Sequence, residues 1–186
     1  MELIGKARNK LRHGLVVKWL LDRFTNIGLE LQPYYIVLEG TDPGLTPQKI
    51  AGYRTVLLGP DDMQTLHCVD GRGVTARVLR EWLREGKLCV ALKHADEIAA
   101  FTWVDLDEFN FHLNRFSLKD NEAYLFDMYT MKAFRGAGLA AHLRHQVYVM
   151  LRSMGRDRLY SVSEYFNSSS IRFKEKLGGR ILRASL

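Results

Sequence analysis

Apolar positions along this chain fall into short runs with two periods, and the period decides the element each run predicts. Tyr34 to Glu39, after Pro33, is β-branched and aromatic and predicts a strand; Arg54 to Leu58, closed by Gly59-Pro60, predicts another. Between them Gly40 to Gly52 holds Pro43, Gly44 and Pro47 and reads as a surface connection. Val74, Val78, Leu79, Trp82 and Leu83 recur at helical spacing in Val74 to Glu85, and Gly86 stops that helix. Leu88 to Leu92 and Ile98 to Val104 predict a hairpin turning through His94 to Glu97. Asp105 to Asn121 is polar with interleaved aromatics and is expected to hold one short strand near Phe111 to Arg115. Ala123 to Met131 is a further strand. The clearest helix is Gly138 to Met154, with Leu139, Leu143, Val147, Met150 and Met154 as its apolar stripe. A strand over Leu159 to Ser163, a helix over Ser168 to Leu177 opened by Asn167, and a strand over Arg180 to Ala184 complete the order.

Ahead of these, Lys6 to Phe24 predicts an amphipathic helix. Leu11, Leu15, Val16, Trp19, Leu20 and Phe24 share a face, and Lys6, Arg8, Lys10, Arg12 and Lys18 supply a basic flank. Two placements stay open for it: packed on its own domain, or lying on an anionic membrane or an acidic carrier protein. The whole layout is α/β (α+β), with a strand–loop–helix unit in its second half.

Composition narrows the classes. With 186 residues, 47% of them hydrophobic, the chain fits one domain with a sizeable core and is not disordered throughout. Cys68 and Cys89 are its only cysteines, and neither sits in a CxxC or Cys/His setting. No disulfide framework and no metal site is therefore expected, and a cytoplasmic setting follows. The net charge of +6 implies attraction to an anion: nucleic acid, a membrane surface, an acidic carrier or a phosphorylated cofactor. Nucleic acid is disfavoured, because no recognised binding motif occurs and the basic residues scatter beyond the first helix. No apolar run approaches the roughly 20 residues a spanning helix needs.

The chemistry concentrates in Leu125 to Ala140, where a strand is expected to run through a short loop into a helix whose first turn contains Gly136 and Gly138, within Arg135-Gly136-Ala137-Gly138-Leu139-Ala140. Helix N-termini present unpaired N–H groups and a positive dipole end, so anions dock there. Small residues at 136, 137, 138 and 140 let phosphate oxygens reach the backbone, and Arg135 adds a positive charge. The P-loop pattern is excluded, since no Lys-Ser or Lys-Thr follows, and the dinucleotide GxGxxG pattern is not met. Glycines that merely ease a tight turn are the bland alternative.

Those six residues fit the Gln/Arg-x-x-Gly-x-Gly/Ala signature of GNAT acyltransferases. Asn167-Ser168-Ser169-Ser170 through Lys176-Leu177-Gly178 resembles the family's downstream segment, in which Asn-x-x-Ala/Ser opens a helix closing in Lys-Leu-Gly. The resemblance covers about Arg54 to Ala184. It implies a mixed, mostly antiparallel central sheet flanked by helices, with residues 33–186 as the acyltransferase domain and 1–32 as an added basic helical extension. It also implies direct transfer from acetyl-CoA or another acyl-CoA to an amine acceptor, small molecule or protein, with no metal. Backbone groups of Met128, Tyr129 and Thr130 would run beside the pantetheine arm. The N–H groups from Arg135 to Ala140, through Gly136, Ala137, Gly138 and Leu139, would hold the pyrophosphate. Asn167 and Ser170 would lie near the thiol, Asn167 also serving as an ordinary N-cap.

Two departures from the family pattern stand out. Where many members have a tyrosine as proton donor, four residues after the small residue Ser170, this chain has Lys174; Ser163 and Tyr165 are substitutes. For the base, Asp127, Glu164 and His112 are candidates. Strand alternation is expected to place Asp127 with Leu125 and Tyr129, opposite Phe126 and Met128. The family also has one more strand after the last one here; the early strand at Tyr34 to Glu39 compensates, the sequence is truncated, or a partner subunit, as in a homodimer, supplies the edge. A non-catalytic acyl-CoA-binding module and a carrier-protein donor stay open beside the enzyme reading.

Overall fold

The computed structural model describes residues 33–40, 50–69 and 73–185. The basic helix expected over Lys6 to Phe24 and most of the Gly40 to Gly52 connection lie outside the described residues. Nine strands are described: β1 (Tyr34–Leu38), β2 (Tyr53–Leu57), β3 (Leu88–His94), β4 (Glu97–Asp105), β5 (Glu108–Phe111), β6 (Asn114–Ser117), β7 (Glu122–Thr130), β8 (Arg158–Glu164) and β9 (Arg180–Ser185). The helices among them are α1 (Met63–His67), α2 (Ala76–Arg84), α3 (Leu139–Ser153) and α4 (Ser168–Lys176), with single 3₁₀ turns at Pro60–Asp62 and Lys132–Phe134. None is long and apolar enough to cross a membrane.

Seven strands form one sheet in the order β2-β3-β4-β7-β8-β1-β9, and β5 and β6 form a separate hairpin. Among the described strands, only β7 and β8 pair in parallel; every other pairing is antiparallel. A parallel pair requires a crossover, and α3 provides it. The expected mixed, mostly antiparallel sheet with flanking helices is therefore present. β1 lies between β8 and β9 and is antiparallel to both, so the early strand fills the position beside β8.

Three apolar clusters hold the layers. Leu139, Leu143, Val147 and Leu151 of α3 pack on Val90, Leu92, Ala100 and Leu125 on one face. On the other, Met63, Leu66 and Leu79 cover Phe101 and Trp103. Phe109 of the β5–β6 hairpin joins Tyr34, Ile36, Tyr124 and Tyr160 in the third.

Three local expectations are corrected. Phe111 to Arg115 is not one strand but the turn of a hairpin, with His112 at φ +51° between β5 and β6. Alternating aromatics flank that turn, and sequence periodicity cannot separate a strand from two short ones. The buried stripe of α3 runs through Leu151 instead of Met154, which lies past the helix end and is 47% exposed. Gly136 and Gly138 both precede the first helical turn instead of lying in it: Gly138 is the N-cap, and both adopt left-handed φ, +86° and +72°.

Candidate active site at the β7–β8 splay

β7 and β8 pair only from Glu122↔Arg158 to Leu125↔Ser161, although β7 continues to Thr130 and β8 to Glu164. Past Leu125 the two strands separate and open a cleft in the middle of the sheet. A bulge marks the point of separation. Between the pairs Phe101↔Tyr129 and Trp103↔Phe126, β4 has one residue and β7 has two. The extra residue places Asp127 at φ +47°, a left-handed conformation that aspartate tolerates better than most side chains. Thr102, fully buried, donates from Oγ1 to the carbonyl of Phe126 at 3.1 Å and fixes the bulge from β4.

The bulge overturns the expected alternation. Leu125 and Met128 both pack toward α3, while Phe126 and Tyr129 both pack toward α1 and α2. Asp127 occupies the inserted position and lines cavities on both sides of the sheet.

The cavity on the α3 side has a volume of about 380 Å³. Met128, Thr130, Ala140, Asn167, Ser170 and Lys174 line it, with Arg144 of α3. With Asp127, seven of the residues singled out from sequence thus converge from β7, α3 and α4. Asn167 caps α4, its Oδ1 accepting from the Ser170 amide at 3.0 Å. The side chain of Tyr129 faces away, stacked on Phe101 at 6.1 Å. At the mouth, the glycine turn is exposed, and a Cβ on Gly136 or Gly138 would meet no atom within 4 Å. Leu139 and Ala140 begin the helix, where N–H groups have no intrahelical acceptor. The Arg135 amide is already engaged, donating to the Lys132 carbonyl at 3.4 Å. Its side chain folds back, with Nε donating to the Thr130 carbonyl at 3.1 Å and the guanidinium 5.3 Å from the Tyr129 ring centre. The open turn, the small residues and the narrow slot beside β7 fit an extended phosphorylated thioester.

The cavity on the other side is wider, about 890 Å³, between Trp82 and Glu85 of α2, Phe111 of β5 and the splayed strands. The two cavities share Leu125, Phe126, Asp127, Val162, Asn167 and Ser170. Glu164 is exposed and lines the wide cavity. Ser163 is buried, its hydroxyl 2.9 Å from that of Ser170. Tyr165 packs at a tilt on Tyr35, ring centres 5.2 Å apart, and His112 sits on the far hairpin turn; neither lines these cavities.

Lys174 is 4% exposed, and its Nζ donates to the Val162 carbonyl at 2.6 Å. Burial pushes its ammonium down to about 7, the carboxylate of Glu39 opposing and the guanidinium of Arg144 adding to the effect. Glu39, Arg144 and Tyr148 form the buried polar group next to it; sequence reasoning passed over all three and Thr102 as well. A charged residue closing the apolar run of β1, and an arginine four residues before a tyrosine inside the buried stripe of α3, were the available signals.

An acyl-transfer fold of this kind is defined by the parallel splay, the bulge and the glycine turn together. The sequence model of the acetyltransferase (GNAT) family matches residues 61–179, and the chain belongs to that family. No curated protein sequence matches it. Among solved structures, it is similar to a putative GNAT acetyltransferase from Novosphingobium aromaticivorans, with 23% identity, 82% of this chain and 61% of that one covered, and a TM-score of 0.59. It is similar to the ribosomal-protein-S18-alanine N-acetyltransferase from Escherichia coli, with 18% identity, coverage of 68% and 76%, and a TM-score of 0.56. A putative acetyltransferase from Salmonella typhimurium, solved with its cofactor acetyl-CoA, gives 14%, 69% and 79%, and 0.54. The chain spans between 49% and 61% of the length of several structures it matches.

Proposed function

We propose that this chain is an N-acyltransferase that moves an acyl group from acyl-CoA directly to a primary amine. The observation that carries the reading is the cleft at Asp127, where a smaller slot beside β7 and a larger second cavity share their lining across one sheet. The donor's pyrophosphate would rest on the glycine turn, its pantetheine beside Met128 and Thr130, and its sulfur near Asn167, Ser170 and Lys174. The amine would approach from the wide cavity. Its nitrogen attacks the thioester carbon, the C–N bond forms and the C–S bond breaks. The amine proton passes to Asp127, or through water to Glu164, and the thiolate takes a proton from Lys174. No covalent enzyme intermediate is needed.

A group able to accept a proton and one able to give it both border the slot, which favours catalysis over a purely binding role. We further propose residues 33–186 as the catalytic unit, residues 1–32 as an extension, and a cytoplasmic setting for it. The test is calorimetric titration with acetyl-CoA, on the native chain and on Gly138→Trp, followed by a panel of amines. Saturable binding lost in the variant, with turnover of one amine, supports the reading; no binding to the folded native chain refutes it.

A further inference from the structure

A buried cluster of charge adjoins the donor-side cavity, with Arg144 and Lys174 in its lining and Glu39 behind them. Glu39 from the end of β1, Arg144 from α3 and Lys174 from α4 are 4%, 3% and 4% exposed. Glu39 accepts a hydrogen bond from the Tyr148 hydroxyl and forms an ion pair with Arg144 at 3.9 Å. Burial alone would raise the Glu39 carboxyl, but Arg144 foremost, then Lys174, outweigh it and hold its pKa below the ordinary value.

Arg144 is underused. A guanidinium has five N–H donors. Among the described residues, its only hydrogen bond runs from Nη2 to the thioether sulfur of Met128 at 3.1 Å, a weak acceptor. Its Nε and Nη1 are buried without a hydrogen bond, Nη1 standing 3.9 Å from Glu39 Oε1, itself unmet. Leaving such donors unmet is costly inside a protein. The cluster also sets two basic side chains, Arg144 and Lys174, against the single carboxylate of Glu39. Arg144 and Lys174 both line the slot that Met128, Asn167 and Ser170 line. Even with Glu39 Oε1 counted for Nη1, the Nε donor of Arg144 has no acceptor.

We propose that the acyl group of the donor ends in a carboxylate received by Arg144, so that the preferred donor is a carboxyacyl thioester of the succinyl kind and not a simple alkanoyl one. This rests on the reading of the slot as an acyl-CoA site and narrows it. A terminal carboxylate supplies acceptors for the unmet N–H groups and a second counter-charge beside the two bases. An alkyl terminus supplies neither and leaves the guanidinium buried against methyl groups.

Succinyl-CoA and butyryl-CoA form a matched pair, equal in chain length and differing in carboxylate against methyl. Calorimetric titration of the native chain with CoA, butyryl-CoA and succinyl-CoA is expected to give succinyl-CoA about ten- to a hundredfold tighter binding than butyryl-CoA, the usual worth of a hydrogen bond to a charged group. In Arg144→Met that ratio is expected to fall to near unity. If removing one partner of the ion pair unfolds the chain, Glu39→Gln/Arg144→Met removes both buried charges and makes the same comparison. Equal binding of the two thioesters by the native chain overturns the proposal while leaving the donor site intact. A succinyl preference that persists undiminished in the variants also overturns it, since net positive charge would then be the cause. Failure of CoA and both thioesters to bind refutes the donor-site reading itself.

Discussion

Replacing Lys174 by Met tests the proton donor, and the structure sets both the size and the pH range of the effect. Lys174 is held against the Val162 carbonyl, and its ammonium is pushed down to about 7 by burial. A proton donor with that value is about half charged at pH 7, about a tenth at pH 8 and about a hundredth at pH 9. Turnover that depends on it should therefore fall about tenfold per pH unit above neutrality. Lys174→Met should lower kcat by about ten- to a hundredfold near pH 6.5, the low end of acid catalysis, because a thiolate is a fairly good leaving group. Binding of CoA should change little. Stability should hold too, since Met fills the same slot without a desolvated charge. The acceptor's own ionisation is common to both proteins and cancels in the ratio of their rates. Product is best followed by mass, because exposed Cys68 would consume a thiol reagent. A native-to-variant ratio that stays constant between about pH 6 and about pH 9 would refute the role of Lys174.

The remaining expectations test the bulge, the turn and the packing. Asp127→Asn keeps a side chain that tolerates φ +47° and removes the base, so kcat should fall about a hundredfold or more with the melting temperature unchanged; a loss confined to Glu164→Gln would move the base to the rim. Gly138→Ala places a Cβ in open space at φ +72°, so it should cost only about 1–2 kcal/mol of stability in urea titrations, yet weaken CoA binding measurably. Gly40→Ala is the contrast. Its Cβ would lie 2.1 Å from the Leu177 carbonyl oxygen, a backbone atom that cannot rotate aside, and a loss of about 3 kcal/mol is expected by the same titration. For Glu39, whose folded pKa is depressed, stabilisation is present above its ordinary value of 4.5 and is lost as pH falls through the folded value. Thermal melts should show that loss, flattened in Glu39→Gln/Arg144→Met.

Most of the fold was legible because its elements are local. The helical stripe of α3, the β3–β4 hairpin and the caps at Asn167 and Gly155 are written in short stretches. Donor-side residues were legible for the same reason, since strand, turn and helix are contiguous from Leu125 to Ala140. The bulge was not. Thr102 stabilises it from a neighbouring strand, and one inserted residue reverses every facing beyond it. Nor was the buried cluster, whose members Glu39, Arg144 and Lys174 are brought together only by tertiary packing.

That cluster ties the sheet topology to the donor slot. β1 is far in sequence from β8, yet it pairs with β8 on one side and β9 on the other, and the residue that follows it is Glu39. The Glu39 amide donates to the Leu159 carbonyl at 2.8 Å, which continues the ladder one residue past the strand and fixes where its carboxylate lies. That carboxylate is the partner of Arg144 and the main opposing charge on Lys174. Moving β1 by one residue along β8 would carry the carboxylate to the opposite face and leave two buried cations in the slot without a counter-charge. The register of an early strand therefore places the carboxylate that opposes the effect of burial on Lys174, and at its end Gly40 leaves no room for a Cβ against Leu177 and Gly178.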